Sequence, residues 1–127
     1  MLNNKLLIVD DEEFVLCQFK SFLERKGYVV FTASKGEDGI SLLKEHDPDL
    51  MILDLHLAEG IQGKDVLKEA LEFKPALRIA IYTGFGNDKD AVDMCLNMGA
   101  KIVLPKPITL DVLKEELDKL RNIHGKD

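Results

Sequence analysis

Leu50-Met51-Ile52-Leu53-Asp54 runs four apolar residues straight into one carboxylate. A short unbroken apolar run of this kind marks a strand buried on both faces. The next residues, Leu55-His56-Leu57-Ala58-Glu59-Gly60, break the run and set Asp54 at the carboxyl end of a central strand. In open parallel sheets that end of the strands is where ligands bind. An acid there serves either as a turn former or as a reactive group, and the rest of the chain decides between the two.

Outward from this strand the chain alternates between two periodicities. Lys5 to Val9 reads as a first strand that ends in Asp10-Asp11, and Tyr28 to Phe31 as a second, rich in β-branched and aromatic residues. Between them, from Glu12 to Lys26, Phe14, Val15, Phe19, Phe22 and Leu23 recur at helical spacing, and Gly27 closes the helix as a left-handed cap. A second helix begins at Ser34 or Lys35, runs through Ile40, Leu42 and Leu43, and is stopped by Asp47-Pro48. After the Leu50–Asp54 strand a loop reaches Gly63, and Lys64 to Phe73 is helical up to Pro75. Leu77 to Tyr82 is a fourth strand leading into Thr83-Gly84-Phe85-Gly86, and Asp88 to Met98 a fourth helix capped by Gly99. Lys101 to Leu104 is a short fifth strand before the turn Pro105-Lys106-Pro107. Thr109 N-caps a last helix whose core stripe is Leu110, Leu113, Leu117 and Leu120.

Regular strand–helix alternation predicts a parallel sheet with helices on both faces. Right-handed crossovers leave few topologies, and the simplest is an α/β, doubly wound, five-stranded sheet of order 2-1-3-4-5, a flavodoxin-like (βα)5 fold. At 127 residues the chain is expected to be a single domain, residues 1–127.

Composition narrows the function. Lys and Arg total 17 against 23 Asp and Glu, a formal net charge of -6. Phosphate contacts need a basic face, so direct nucleic-acid contact and an anionic membrane surface are both disfavoured. No apolar stretch approaches membrane-spanning length, and Leu6 to Val9 is too short for a signal peptide. Cys17 and Cys95 form no CxxC pair, and each falls in a helical pattern. Both are expected to be buried thiols in a reducing cytosol, which makes the predicted location cytoplasmic.

In the order 2-1-3-4-5 the strand ends bring Asp10 and Asp11, Asp54, Thr83 and Lys106 to one edge of the sheet. Two unit charges at ~4 Å repel by roughly 4 kcal/mol at an effective dielectric of about 20. A hard divalent cation relieves that repulsion, and Mg2+ suits carboxylate ligands that share it with phosphate oxygens. Metal, Thr83 and Lys106 together form a cradle for a phosphoryl group, with Asp54 as the candidate nucleophile. Taken singly, each residue has a plainer role. Asp10-Asp11 can N-cap the helix with Glu13 as a capping-box partner, Asp54 and Thr83 can form turns, and Lys106 can be a solvated charge. Their coincidence at one sheet edge is what favours chemistry.

These motifs are Leu6-Leu7-Ile8-Val9-Asp10-Asp11-Glu12, Asp49-Leu50-Met51-Ile52-Leu53-Asp54-Leu55, Ile81-Tyr82-Thr83-Gly84 and Pro105-Lys106-Pro107. In that order, and over essentially the whole chain, the sequence resembles a response-regulator receiver domain of two-component signalling. The resemblance implies that Asp54 takes a phosphoryl group from a histidine kinase or phosphotransfer protein. It implies that Asp10 and Asp11 hold magnesium with Asp54 and the backbone carbonyl of His56, and that Thr83 and Lys106 bind the phosphoryl oxygens. It also implies a cis Lys106–Pro107 bond and a signalling face built from the fourth helix, fifth strand and fifth helix. Such a domain is a signalling module rather than an enzyme with a separate substrate. Two alternatives stay open: an interaction module that never turns over phosphate, and a phosphoaspartyl phosphatase, which would carry an acid where His56 stands. The output, a separate protein or a fused domain, is not named by the sequence, nor is the pairing of two copies as a homodimer.

The chain departs from the family pattern in the loop after Asp54. Many receivers carry Met-Pro where Leu57-Ala58 stands, and the loop has one extra residue before Gly63. Gly60 and Gly63 are expected to leave it unusually free. Val103 occupies the position, three before the lysine, that is often an aromatic switch. Phe85, two after Thr83, is expected to shield the phosphoryl group from water.

Overall fold

The computed structural model describes residues 2–84 and 89–123. Five strands alternate with five helices: β1 Lys5–Val9, α1 Glu13–Arg25, β2 Val29–Ala33, α2 Gly36–His46, β3 Leu50–Asp54, α3 Gly63–Phe73, β4 Arg78–Thr83, α4 Lys89–Met98, β5 Ile102–Pro105 and α5 Leu110–Asn122. All pairings are parallel and the order is β2-β1-β3-β4-β5, the topology expected from the alternation.

Alternation along β3 builds both halves of the core. Met51 and Leu53 face one cluster, with Ile40 and Leu43 of α2, Val66, Leu67 and Ala70 of α3, and Cys95 of α4. Leu50 and Ile52 face the other, with Leu16, Phe19 and Leu23 of α1 and Leu113, Leu117 and Leu120 of α5. Every residue from Leu50 to Leu53 is wholly shielded from solvent. Each such aliphatic side chain contributes roughly 1.5–3 kcal/mol on burial, so the central strand is firmly anchored and Asp54 stands at its carboxyl end.

Local signals place the element ends. Gly27 (φ +100°) and Gly99 (φ +126°) take left-handed conformations after α1 and α4, and Asp47 (φ 53°) does so after α2. Thr109 caps α5 by accepting a hydrogen bond from the Val112 N–H at 3.3 Å. β2 is displaced from the predicted Tyr28–Phe31. The Tyr28 N–H is spent on Leu23 O at the end of α1, while pairing with β1 continues to Ala33 opposite Val9.

Three expectations are corrected. Phe14 is 77% exposed. It lies nine residues from the buried Leu23, on the opposite side of α1, and the inward stripe uses Leu16 instead. Cys17 is exposed for the same reason, whereas Cys95 is buried as expected. The loop after Asp54 is packed rather than free. Gly60 holds a left-handed φ of +78°, and a Cβ on Gly63 would meet Asp54 O and Leu55 O at 2.7 and 2.5 Å. Gly63 is therefore required by the close approach of α3 to the end of β3. The predicted start of the fourth helix at Asp88, and Phe85, lie outside the described residues.

Candidate functional site

Four strand ends build the site. β1 delivers Asp10 and Asp11, β3 delivers Asp54 and, just beyond it, His56; β4 ends in Thr83, and Lys106 follows β5. The Lys106–Pro107 peptide bond is cis, as the resemblance implied. Asp11, Glu12, Val15, Asp54, His56, Tyr82, Gly84, Lys106 and Pro107 line a cleft of about 530 Å³.

Asp10, Asp11 and Asp54 each have one oxygen held by a backbone N–H. The Glu12 N–H donates to Asp10 Oδ1 at 2.9 Å, the His56 N–H to Asp54 Oδ1 at 3.0 Å, and the Ala58 N–H to Asp11 Oδ2 at 2.8 Å. Asp11 is thus tied to the loop across the cleft instead of N-capping α1, whose cap residue Glu12 makes no side-chain cap bond. One oxygen from each of Asp10, Asp11 and Asp54 lies within 4.8 Å of the others.

The ammonium of Lys106 enters this acidic cluster from β5. Its Nζ donates to Asp54 Oδ2 at 3.0 Å, faces Asp10 Oδ2 at 3.6 Å, and lies 4.7 Å from the centre of the Tyr82 ring. Burial alone would lower the Lys106 pKa, but the Asp54 and Asp10 carboxylates hold it above its ordinary value, so the amine stays charged. Burial pushes Asp10 up to about 6, against the pull of the Glu12 N–H and Lys106 and with the help of the Asp54 charge. Asp10 Oδ2 is buried and, among the described residues, has no hydrogen-bond partner. A buried carboxylate oxygen left in that state, close to two further acids, is the environment a divalent cation neutralises. The donor set, all oxygen, fits magnesium.

Two predicted residues do not line this cleft: Asp10, which is wholly buried, and Thr83. Thr83 borders a neighbouring cavity of about 240 Å³, with Gly84, Lys89, Val92, Val103, Pro105 and Lys106. Its Oγ1 is the other buried side-chain oxygen without a hydrogen-bond partner among the described residues. Gly84 and Lys106 line both spaces. Sequence reasoning missed Tyr82 as a platform for Lys106 and missed the Ala58 N–H. A backbone donor has no side-chain signature; the only available signal was that the residue is not proline.

The response regulator receiver domain family model matches residues 6–118, and the chain belongs to that family. The chemotaxis protein CheY of Bacillus subtilis is 32% identical over 94% of this chain and 98% of its own length. The sporulation initiation phosphotransferase F of the same organism is 28% identical, with 94% of each chain covered. The chain spans 44% of a third relative, the alkaline phosphatase synthesis transcriptional regulatory protein PhoP, at 35% identity over 85% of this chain. Among solved structures, a CheY-like receiver domain protein from Methanospirillum hungatei superposes with a TM-score of 0.85 at 28% identity, over 95% of both chains. The fold and family are therefore those of two-component receivers. Among the described residues, no helix is long and apolar enough to cross a membrane.

Proposed function

We propose that residues 1–127 form one receiver domain in which Asp54 accepts a phosphoryl group from a phosphohistidine on a histidine kinase or phosphotransfer protein. The observation that carries this is the hydrogen bond from Lys106 to a carboxylate that is buried yet borders an open cleft. A carboxylate oxygen of Asp54 attacks phosphorus. The bond from phosphorus to the donor's imidazole nitrogen breaks, and the nitrogen keeps the electron pair. Lys106, held protonated, then moves with the phosphoryl oxygens it neutralises. Asp10, Asp11, Asp54 and the carbonyl of His56 would hold magnesium. When bound, the ion offsets the charge of the carboxylates and of the incoming phosphoryl group.

Thr83, whose buried hydroxyl has no resting partner among the described residues, is the group available to reach the phosphoryl oxygens. Phosphorylation then works as a population shift toward the arrangement in which Thr83 and Lys106 both contact it. The output face is supported by α4, where Met94 and Leu96 are 48% and 38% exposed while only Cys95 is buried. A protein partner or a fused output domain covers such apolar side chains; net charge disfavours nucleic acid.

Intact-mass spectrometry after acetyl phosphate and magnesium tests the acceptor. One phosphoryl group is expected on wild type and none on Asp54→Asn or in excess chelator. Stoichiometric labelling of folded Asp54→Asn would overturn the assignment. Failure of wild type to label would favour an interaction module without phosphate turnover.

A further inference from the structure

The carboxylates of Asp10, Asp11 and Asp54 are each held by a backbone N–H, but not from the same distance in sequence. Asp10 and Asp54 each accept the N–H two residues further along, a closed local turn that any short loop can supply. Asp11 accepts its N–H from Ala58, 47 residues away on the other wall of the cleft. Asp11 is also the only half-exposed member of the three; Asp10 and Asp54 are 0% and 2% exposed. Repelled by two neighbouring acids and open to water, an unheld Asp11 side chain would swing outward. The Ala58 N–H fixes Oδ2, and one oxygen of Asp11 lies within 4.8 Å of oxygens of Asp10 and Asp54.

The donor is available because residue 58 is alanine. Proline, found there in many receivers, has no N–H to give. The loop that carries Ala58 is itself anchored. Gln62 Nε2 donates to Leu57 O at 2.9 Å, and a Cβ on Gly36 would collide with Ile61, so α2 packs directly against this loop.

We propose that the Ala58 N–H is a positioning group for the metal site, holding Asp11 from across the cleft so that its second oxygen is presented to magnesium. This rests on the reading of the acidic cluster as the magnesium site. Outer hydrogen bonds to a metal ligand are worth 10–100-fold in affinity. A single neutral N–H on a half-exposed carboxylate belongs at the lower end of that range.

The test is magnesium binding itself, measured by titration calorimetry on the unphosphorylated full chain. Ala58→Pro is expected to weaken magnesium affinity about tenfold, with the melting temperature in chelator unchanged. Ala58→Ser, which keeps the N–H, is expected to bind like wild type. If Ala58→Pro fails to fold, the amide-to-ester replacement at residue 58, made by ligation, removes the same N–H and keeps the alanine side chain. Equal affinity in wild type and in the folded N–H-deleted protein overturns the proposal. So does a melting temperature that falls while affinity holds, which is the mark of a merely structural bond. If wild type binds no magnesium, the reading of the metal site fails and the proposal falls with it.

Discussion

The two ends of the sheet treat their acids in opposite ways. At the amino end, Asp49 Oδ1 accepts from Lys74 Nζ at 2.6 Å and Oδ2 from the Asn3 N–H at 2.6 Å. The same Nζ reaches Asp47 Oδ1 at 2.7 Å and Pro48 O at 3.0 Å. Burial pushes the Asp49 carboxyl up, but Lys74 and Asn3 more than offset it and hold it below its ordinary value. At the carboxyl end, Asp10 is more deeply buried, has one oxygen without a hydrogen bond, and is pushed up to about 6. One end has closed its hydrogen-bond account and serves stability. The other keeps charge uncompensated, and that is where a cation and a phosphoryl group gain most from binding.

The strongest break in the contrast is at Lys106, whose ammonium pairs with both Asp54 and Asp10. Lys106→Met is expected to slow phosphorylation of Asp54 by a small phosphodonor about 10²-fold, the usual cost of removing one preorganised charge-stabilising donor. Initial labelling rates by mass spectrometry at fixed magnesium and pH check this. A rate within threefold of wild type would remove Lys106 from the phosphoryl site.

Asp10→Asn is expected to separate stability from function. A carboxyl moved from 3.8 to about 6 is harder to ionise in the folded chain. At pH 7 this costs about 3 kcal/mol. The sign follows directly: between pH 4 and 6 the native state holds the proton that the unfolded state has released. Stability from Asp10 therefore falls as pH rises through that window. Metal-free wild type should lose about half of this increment between pH 5 and pH 7, whereas Asp10→Asn should not and should be the more stable protein at pH 7. Magnesium should reverse the ranking. Asp49 has the opposite sign, because its depressed pKa gives stability that is present at neutral pH and lost in acid. Denaturant melts of both proteins at pH 5 and 7, with magnesium and with chelator, carry the comparison.

The amino end should respond only in stability. Lys74→Met leaves Asp49 and Asp47 without their ammonium. Lys74 and Asp49 are about 15% exposed, between a surface pair and a buried one. A loss of about 1–2 kcal/mol is expected, with labelling of Asp54 unchanged once both proteins are folded. A labelling defect at matched folded fraction would show that the two ends are coupled.

How much of this was legible in the sequence differs element by element. β3 was legible to the residue, because a fully buried parallel strand needs no partner to announce itself. The converging acids and Lys106 followed from topology alone. Phe14 and Cys17 were misplaced because helical spacing gives a stripe its period but not its phase, and tertiary packing chose Leu16. Gly60 and Gly63 were read as freedom when they are close approach, which depends on where α2 and α3 lie. That Thr83 borders a different cavity from the cleft lined by Asp11 and Asp54 is a matter of packing, which has no sequence pattern.

Thr83 gives the smallest effect and the finest edge to the comparison. The residue borders the cavity lined by Val92 and Val103, and its hydroxyl is buried with no hydrogen-bond partner among the described residues. A buried unpaired hydroxyl costs about 1–3 kcal/mol, and replacing it with an apolar group of the same shape is neutral or favourable. Thr83→Val keeps the branched shape and removes only the hydroxyl. In the resting protein it should raise stability by less than about 1 kcal/mol, a rise of at most about 4 °C in melting temperature for a domain of this size. In the phosphorylated protein the order should invert, because wild type then gains a bond to phosphoryl oxygen that valine cannot make. The stabilisation conferred by phosphorylation, read as the difference between the two melts, should therefore be smaller in Thr83→Val than in wild type. Equal increments in both proteins would mean that the hydroxyl never turns toward Asp54. A resting variant destabilised by more than about 1 kcal/mol would mean that it already has a partner, most simply an ordered water, and that the carboxyl end of the sheet is better satisfied at rest than its geometry indicates.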